Sequence, residues 1–139
     1  MKQLFLFTLL SAVTFLSCHK SNQQTEAGSK LLGKWILKND VTTYFNGIQI
    51  VTNTSNFQPN EYMQFETGGR FLIRVDEEIT QTSWKLLDND KTLYITPVGD
   101  LDVPEDGYEI KTLNDHNLVL YWKEPAGTSG YSVTINLER

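Results

Sequence analysis

The side chains able to do chemistry are few, and none is grouped for catalysis. The chain has two histidines, His19 and His116, and one cysteine, Cys18. His19 falls in a polar stretch and His116 in a turn beside Asp115. A Gly-x-Ser-x-Gly elbow, a P-loop and a His-Glu-x-x-His motif are all missing from the sequence. No enzyme activity is therefore expected. Two acidic stretches, Asp88-Asn89-Asp90 and the group Asp100, Asp102, Glu105 and Asp106, offer hard oxygens of the kind calcium takes. Neither follows the spaced Asp-x-Asp-x-Asp-Gly pattern with a distant Glu, and Asp and Asn are favoured turn residues. Solvated loops are the expectation, with no metal and no cofactor. What remains is recognition, for which the aromatic side chains, 12% of residues, are the natural material.

Those side chains need a scaffold, and composition bounds it. A length of 139 residues suits one folded domain. An apolar fraction of 40% is ordinary for a globule and argues against extensive disorder. The formal charge is -5, and no block of Lys or Arg gathers anywhere. A nucleic-acid groove or an electrostatic membrane patch needs such a block, so no nucleic-acid partner is expected. With Cys18 alone, no internal disulfide is possible, and the core must hold the domain together.

The first thirty residues have a different character. Lys2 gives a short basic start, and residues 4–16 are apolar except for Thr8, Ser11 and Thr14. About thirteen residues are too few to span a bilayer as a helix, but suit the hydrophobic region of a signal peptide. Phe15-Leu16-Ser17-Cys18 resembles the lipobox of bacterial lipoproteins, with Phe15 where Leu is usual. The resemblance implies cleavage before Cys18 and lipid on its thiol. Residues 1–17 are then a signal peptide and residues 18–30 a lipid-attached flexible tether. Several acyl chains would anchor the protein firmly without a transmembrane helix.

From residue 31 onward the hydrophobic period is two. Phe71, Ile73 and Val75 share a face, as do Leu118, Leu120 and Trp122, and residues 131–138 alternate throughout. Such alternation predicts antiparallel strands with one buried and one wet face. Turn signals at 67–69, 88–90 and 114–116 predict three hairpins: 61–66 with 70–75, 79–87 with 91–96, and 107–113 with 117–123. A first strand at 34–45 and a last at 131–138 bring the count to eight. Asn46-Gly47 predicts a further type I′ hairpin turn, with 48–52 as a candidate ninth strand. The ribbon and the segment to residue 60 are expected to project as a flap over one end. The fold class is all-β: a small antiparallel up-and-down β-barrel of about eight strands, over residues 31–139.

The order of these features resembles the lipocalin-like domains of bacterial lipoproteins. Leu32-Gly33-Lys34-Trp35 matches the lipocalin Gly-x-Trp, and Phe65-x-x-x-Gly69 falls in a tight hairpin. Thr82-Ser83-Trp84-Lys85-Leu86 leading to Leu93-Tyr94-Ile95, and Leu118 to Trp122 after Tyr108, extend the likeness. The resemblance implies that Trp35 plugs the closed end and that Arg139 packs on it by a cation–π contact. Plain core packing is the expectation for Trp84. Counting parity upward from Trp35 gives Phe45, Val75, Tyr108, Trp122 and Tyr131 as inward residues at the open end. These are the candidate ligand-binding residues for a small apolar or sugar-like ligand. The alternative is an envelope interaction or structural lipoprotein with a filled barrel, working through the ribbon or the loop at 97–106. A monomer is expected, on an outer membrane and facing the periplasm, because residues 19–22 match no acidic surface-display signal.

Overall fold

A computed structural model describes residues 25–124 and 129–139. The expected signal peptide, with Cys18 and His19, lies outside the described residues. The chain folds as a closed antiparallel barrel in the order α1 (Glu26–Leu31), β1 (Gly33–Asn46), β2 (Gln49–Asn56), β3 (Tyr62–Phe65), β4 (Arg70–Val75), β5 (Glu78–Leu87), β6 (Thr92–Ile95), β7 (Tyr108–Leu113), β8 (Asn117–Lys123) and β9 (Ser129–Glu138). Each strand pairs with its neighbour from β3 to β9, and β1–β9 pairing closes the wall. Eight strands therefore form the barrel. The three predicted hairpins and the first and last strands lie where the alternation placed them.

β2 is the ninth strand, and its place follows from the length of β1. At 14 residues, β1 is far longer than β3 or β6, at 4 each. One edge of β1 pairs with β9 from Ile36↔Glu138 to Asn46↔Ser129. Its other edge is shared: β3 takes Gly33 to Ile36, and β2 takes Asn39 to Asn46. β2 and β3 thus run in the same direction along one edge, as two halves of an interrupted stave. β2 pairs with nothing on its far side, and all of its residues are exposed. The β1–β2 ribbon extends the wall beyond the mouth and does not fold over it as a flap.

Its turn also differs from expectation. Asn46 pairs with Gln49, so the two-residue loop is Gly47-Ile48. Gly47 has φ +60, and Ile48 is not among the positive-φ residues, which is the type II′ pattern and not type I′. The β4–β5 hairpin, in contrast, turns through Asp76 (φ 49) and Glu77 (φ 69), two left-handed residues with no glycine to announce them.

The break between β2 and β3 is held by one buried carboxylate. Glu61 is 4% exposed. One of its oxygens accepts from the Gln58 N–H at 2.6 Å, and the other from the Asp76 N–H at 2.9 Å. Its carbonyl accepts from the Leu37 N–H at 3.0 Å, and the Phe57 N–H returns to the Lys38 carbonyl at 3.1 Å. The excursion at 57–61, β1 and the β4–β5 turn are so tied together. Opposite the break, β1 carries an irregularity between Leu37 and Asn39 in its pairing with β9.

The core fills the closed end. Leu31, Trp35, Phe65, Phe71, Leu93, Ile95, Leu118, Leu120 and Leu137 are fully buried. Each such aliphatic or aromatic side chain stabilises the fold by roughly 1.5–3 kcal/mol. Phe65 lies 5.1 Å from Phe71 and meets Trp84 edge-on at 5.5 Å. The Trp35 indole N–H donates to the Leu31 carbonyl at 2.8 Å, and the Arg139 guanidinium stands 4.1 Å over the Trp35 ring. Arg139 also donates to the carbonyls of Lys30, Leu32 and Asp115. Residues 26–30, read from sequence as tether, belong to α1 instead. Thr25 caps this short helix, a Lys30–Glu26 pair spans it, and Leu31 enters the core.

Glu61→Gln keeps the side chain's size but turns an NH2 toward a backbone N–H that needs an acceptor. Stability should fall by roughly 1–3 kcal/mol. Urea unfolding would show a lower midpoint at unchanged slope. A variant as stable as the parent would remove Glu61 from its role as staple.

Candidate functional site

A cavity of about 450 Å³ opens at the barrel mouth. Its wall is made by β1, β8 and β9, and the loop before β7 with Phe57 makes the opposite side. Val133 and Ile135 of β9 give apolar lining, with Trp122 opposite Val133 and Tyr131 two residues nearer the β1–β2 ribbon's tip. Trp122 and Tyr131 meet edge-on at 5.3 Å, and Tyr131 continues to Tyr44 at 5.9 Å. A ladder of rings thus climbs from the cavity onto the ribbon. Trp35 and Trp84 are 0% and 2% exposed and serve the core, whereas Trp122 is only half-buried and lines the cavity.

The loop at 96–107 stays near the barrel because two of its side chains, Leu101 and Val103, pack on the core. It ends at Gly107, which has φ +82 and abuts β6. An added Cβ there would lie 2.7 Å from the Leu93 carbonyl oxygen. Glycine is therefore required at 107, and it sets the entry of Tyr108 into β7. Tyr108 is 7% exposed, lines the cavity and has no hydrogen-bond partner among the described residues. Burial, and secondly the negative charge of Asp102, push its phenol up to about 12. Tyr108 is therefore neutral throughout the physiological range.

The predicted ligand-binding residues divide into three groups. Tyr108, Trp122 and Tyr131 come together in the cavity. Val75 lines an adjoining hollow of about 110 Å³, which shares Phe57, Asp102, Val103, Tyr108 and Ile135 with the cavity and reaches Met63, Phe71 and Ile95. Phe45 is not in the cavity. It pairs with exposed Ile50 on the outer face of the ribbon, with the Lys123 ammonium 4.9 Å over its ring. The cause is the irregularity after Leu37, since one extra residue reverses every later side chain of β1. Asp40, Thr42 and Tyr44 thereby take the inward positions, opposite Ile135, Val133 and Tyr131. Sequence reading missed Asp40, Thr42 and Phe57, and no local signal marks them.

Among the described residues, the cavity is lined by three carboxylates, Asp40, Asp102 and Glu105, and by no Lys or Arg. No group of three or more Asp, Glu, His or Cys among the described residues is placed to hold a metal ion. The Asp88-Asn89-Asp90 stretch is a turn with all three residues at positive φ, and Asp88 accepts from the Thr92 hydroxyl at 2.9 Å. Asn114 likewise serves its own turn, accepting from the N–H groups of His116 and Asn117.

In an ultraviolet titration of the folded protein, one phenol should ionise near pH 12 and vanish in Tyr108→Phe. A folded pKa above the usual value of about 10 makes this group favour folding below that pH. Its contribution is lost as pH rises from about 10 to 12. An unchanged titration curve in the variant would contradict the burial of Tyr108.

Comparison with protein-family models, curated proteins and solved structures finds no match for this chain.

Proposed function

We propose that this chain is a lipid-anchored envelope protein whose lipocalin-like barrel binds a small ligand at its mouth. The observation that carries the binding reading is the cavity of about 450 Å³, walled by the half-buried rings of Trp122 and Tyr131. Its volume falls within the range of small-molecule sites, roughly 300–1,000 Å³. Rings that are neither buried in the core nor scattered over the surface suit a ligand with an apolar or sugar-like face. The proposed anchor is lipid on Cys18, supported by the short apolar run and by Phe15-Leu16-Ser17 before it. The proposed location is the periplasmic side of an outer membrane. Binding, without turnover, is the proposed role.

An interaction protein with a filled barrel has less support, since the mouth is not filled. One observation keeps a docking role in view: Ile48, Ile50 and Val51 of the ribbon are 101%, 71% and 57% exposed. That face would add to ligand binding and does not require a filled interior.

Two experiments test the proposal. The full-length chain taken from its native membranes should carry a small molecule detectable by native mass spectrometry. Val133→Trp, which fills the cavity from its apolar lining, should lose it while melting within a few degrees of the parent. An empty parent, or a variant that retains the same adduct, would count against the cavity. Separately, Cys18→Ser should abolish palmitate labelling and release the chain from the membrane fraction. Retention of both would remove the anchor.

A further inference from the structure

We infer that the cavity selects an organic cation: an ammonium or quaternary amine carried on an apolar body. This rests on the ligand-binding reading and names its ligand class. Among the described residues, the charged side chains lining the cavity are Asp40, Asp102 and Glu105. None has an ion-pair partner among the described residues, and the one hydrogen bond to any of them is from the Thr42 hydroxyl to Asp40, at 3.3 Å. Ionised carboxylates only accept hydrogen bonds. A ligand that meets them must donate, and a positive charge does so best.

The protein's own cations are placed elsewhere. Lys34, Lys85 and Lys111 lie over the rings of Tyr62, Tyr94 and Tyr121 on the outer wall, at 3.8, 4.7 and 4.7 Å. Lys123 lies over Phe45, also outside. Among the described residues, nothing basic lines the mouth. A metal ion is a poor substitute, because these carboxylates do not converge on one point. Spread around the cavity, they suit a larger, diffuse cation.

Two further features fit that charge. Trp122 and Tyr131 line the cavity, and aromatic rings attract ammonium groups. Tyr108, 7% exposed, lines both the cavity and the adjoining hollow. That hollow is lined by Leu37, Met63, Phe71, Ile73 and Ile95 and would take the ligand's apolar body. An anion would meet only like charge. A neutral sugar would gain acceptors but little charge complementarity.

The test uses the full-length chain in phosphatidylcholine nanodiscs, with empty nanodiscs subtracted. Calorimetry compares three probes on one apolar body: naphthylmethyl-trimethylammonium, naphthylmethyl glucoside and naphthoate. The cation should bind at least about tenfold tighter than the glucoside, and naphthoate weakest. The preference should shrink with salt. In D40N/D102N/E105Q, and partly in E105Q alone at its exposed position, the gap between cation and glucoside should close to within about threefold. A glucoside that matches the cation in the parent, or a triple variant that keeps the preference, overturns the inference and leaves the cavity standing. If no probe binds and the parent behaves as Val133→Trp does, the cavity reading falls and the inference with it.

Discussion

Pairing of β1 with β9 converts a meander of hairpins into a closed wall. A seven-strand meander from β3 to β9 would leave two open edges and an apolar face exposed to water. β1 covers both edges at once, with β3 on one side and β9 on the other. Closure also sets the difference between the two ends. The first residues of β1, Gly33 to Ile36, pair with β3, whereas its upper part, paired with β2 and β9, outgrows the short strands opposite. The ribbon and the open mouth both follow from that mismatch in length.

The closed end is sealed by polar as well as apolar contacts. Trp35 fills the space, and its indole N–H is used locally. Arg139 covers the ring and gives its donors to three carbonyls from two segments, those of Lys30 and Leu32 at the end of α1 and that of Asp115 at the β7–β8 hairpin. Helix ends leave carbonyls without partners, and here a guanidinium supplies the missing donors. The open end is built the other way. Its backbone is an excursion and a loop, its charged groups are carboxylates, and Trp122 and Tyr131 remain half-exposed.

Charge follows the same division. Lysines lie along the outer wall over tyrosine rings, and the carboxylates of the mouth have no cation beside them. In a chain of formal charge -5, some carboxylates must lack partners. That three of them line one aromatic cavity gives the proposed binding site its sign.

The period-two alternation fixed much of this in advance. Phe71-Leu72-Ile73-Arg74-Val75 and residues 131–138 can bury one face only as strands, and the turn residues between runs dictate hairpins. Trp35 and Tyr108 were legible because they precede the irregularities of their strands, and Trp122 and Tyr131 because the β8–β9 pairing is regular. Phe45 was misplaced because parity is a local rule and a bulge is not. The extra residue after Leu37 exists only in the pairing of β1 with β9, ninety residues or more away in sequence. Glu61 was invisible for a related reason: a glutamate reads as surface until two backbone N–H groups, one from a turn fifteen residues on, are brought to it. Residues 26–30 read as tether because their helix is held by a cap, an ion pair and the buried Leu31 that follows, without an apolar stripe of its own. The sequence by itself determined the strands and their order, since alternation and turn chemistry act between near neighbours; the Trp35 plug was implied only by the resemblance to lipocalins. Only the tertiary structure decided which side chains face the mouth and that a cavity remains there, because both depend on how distant strands share hydrogen bonds across the closed wall.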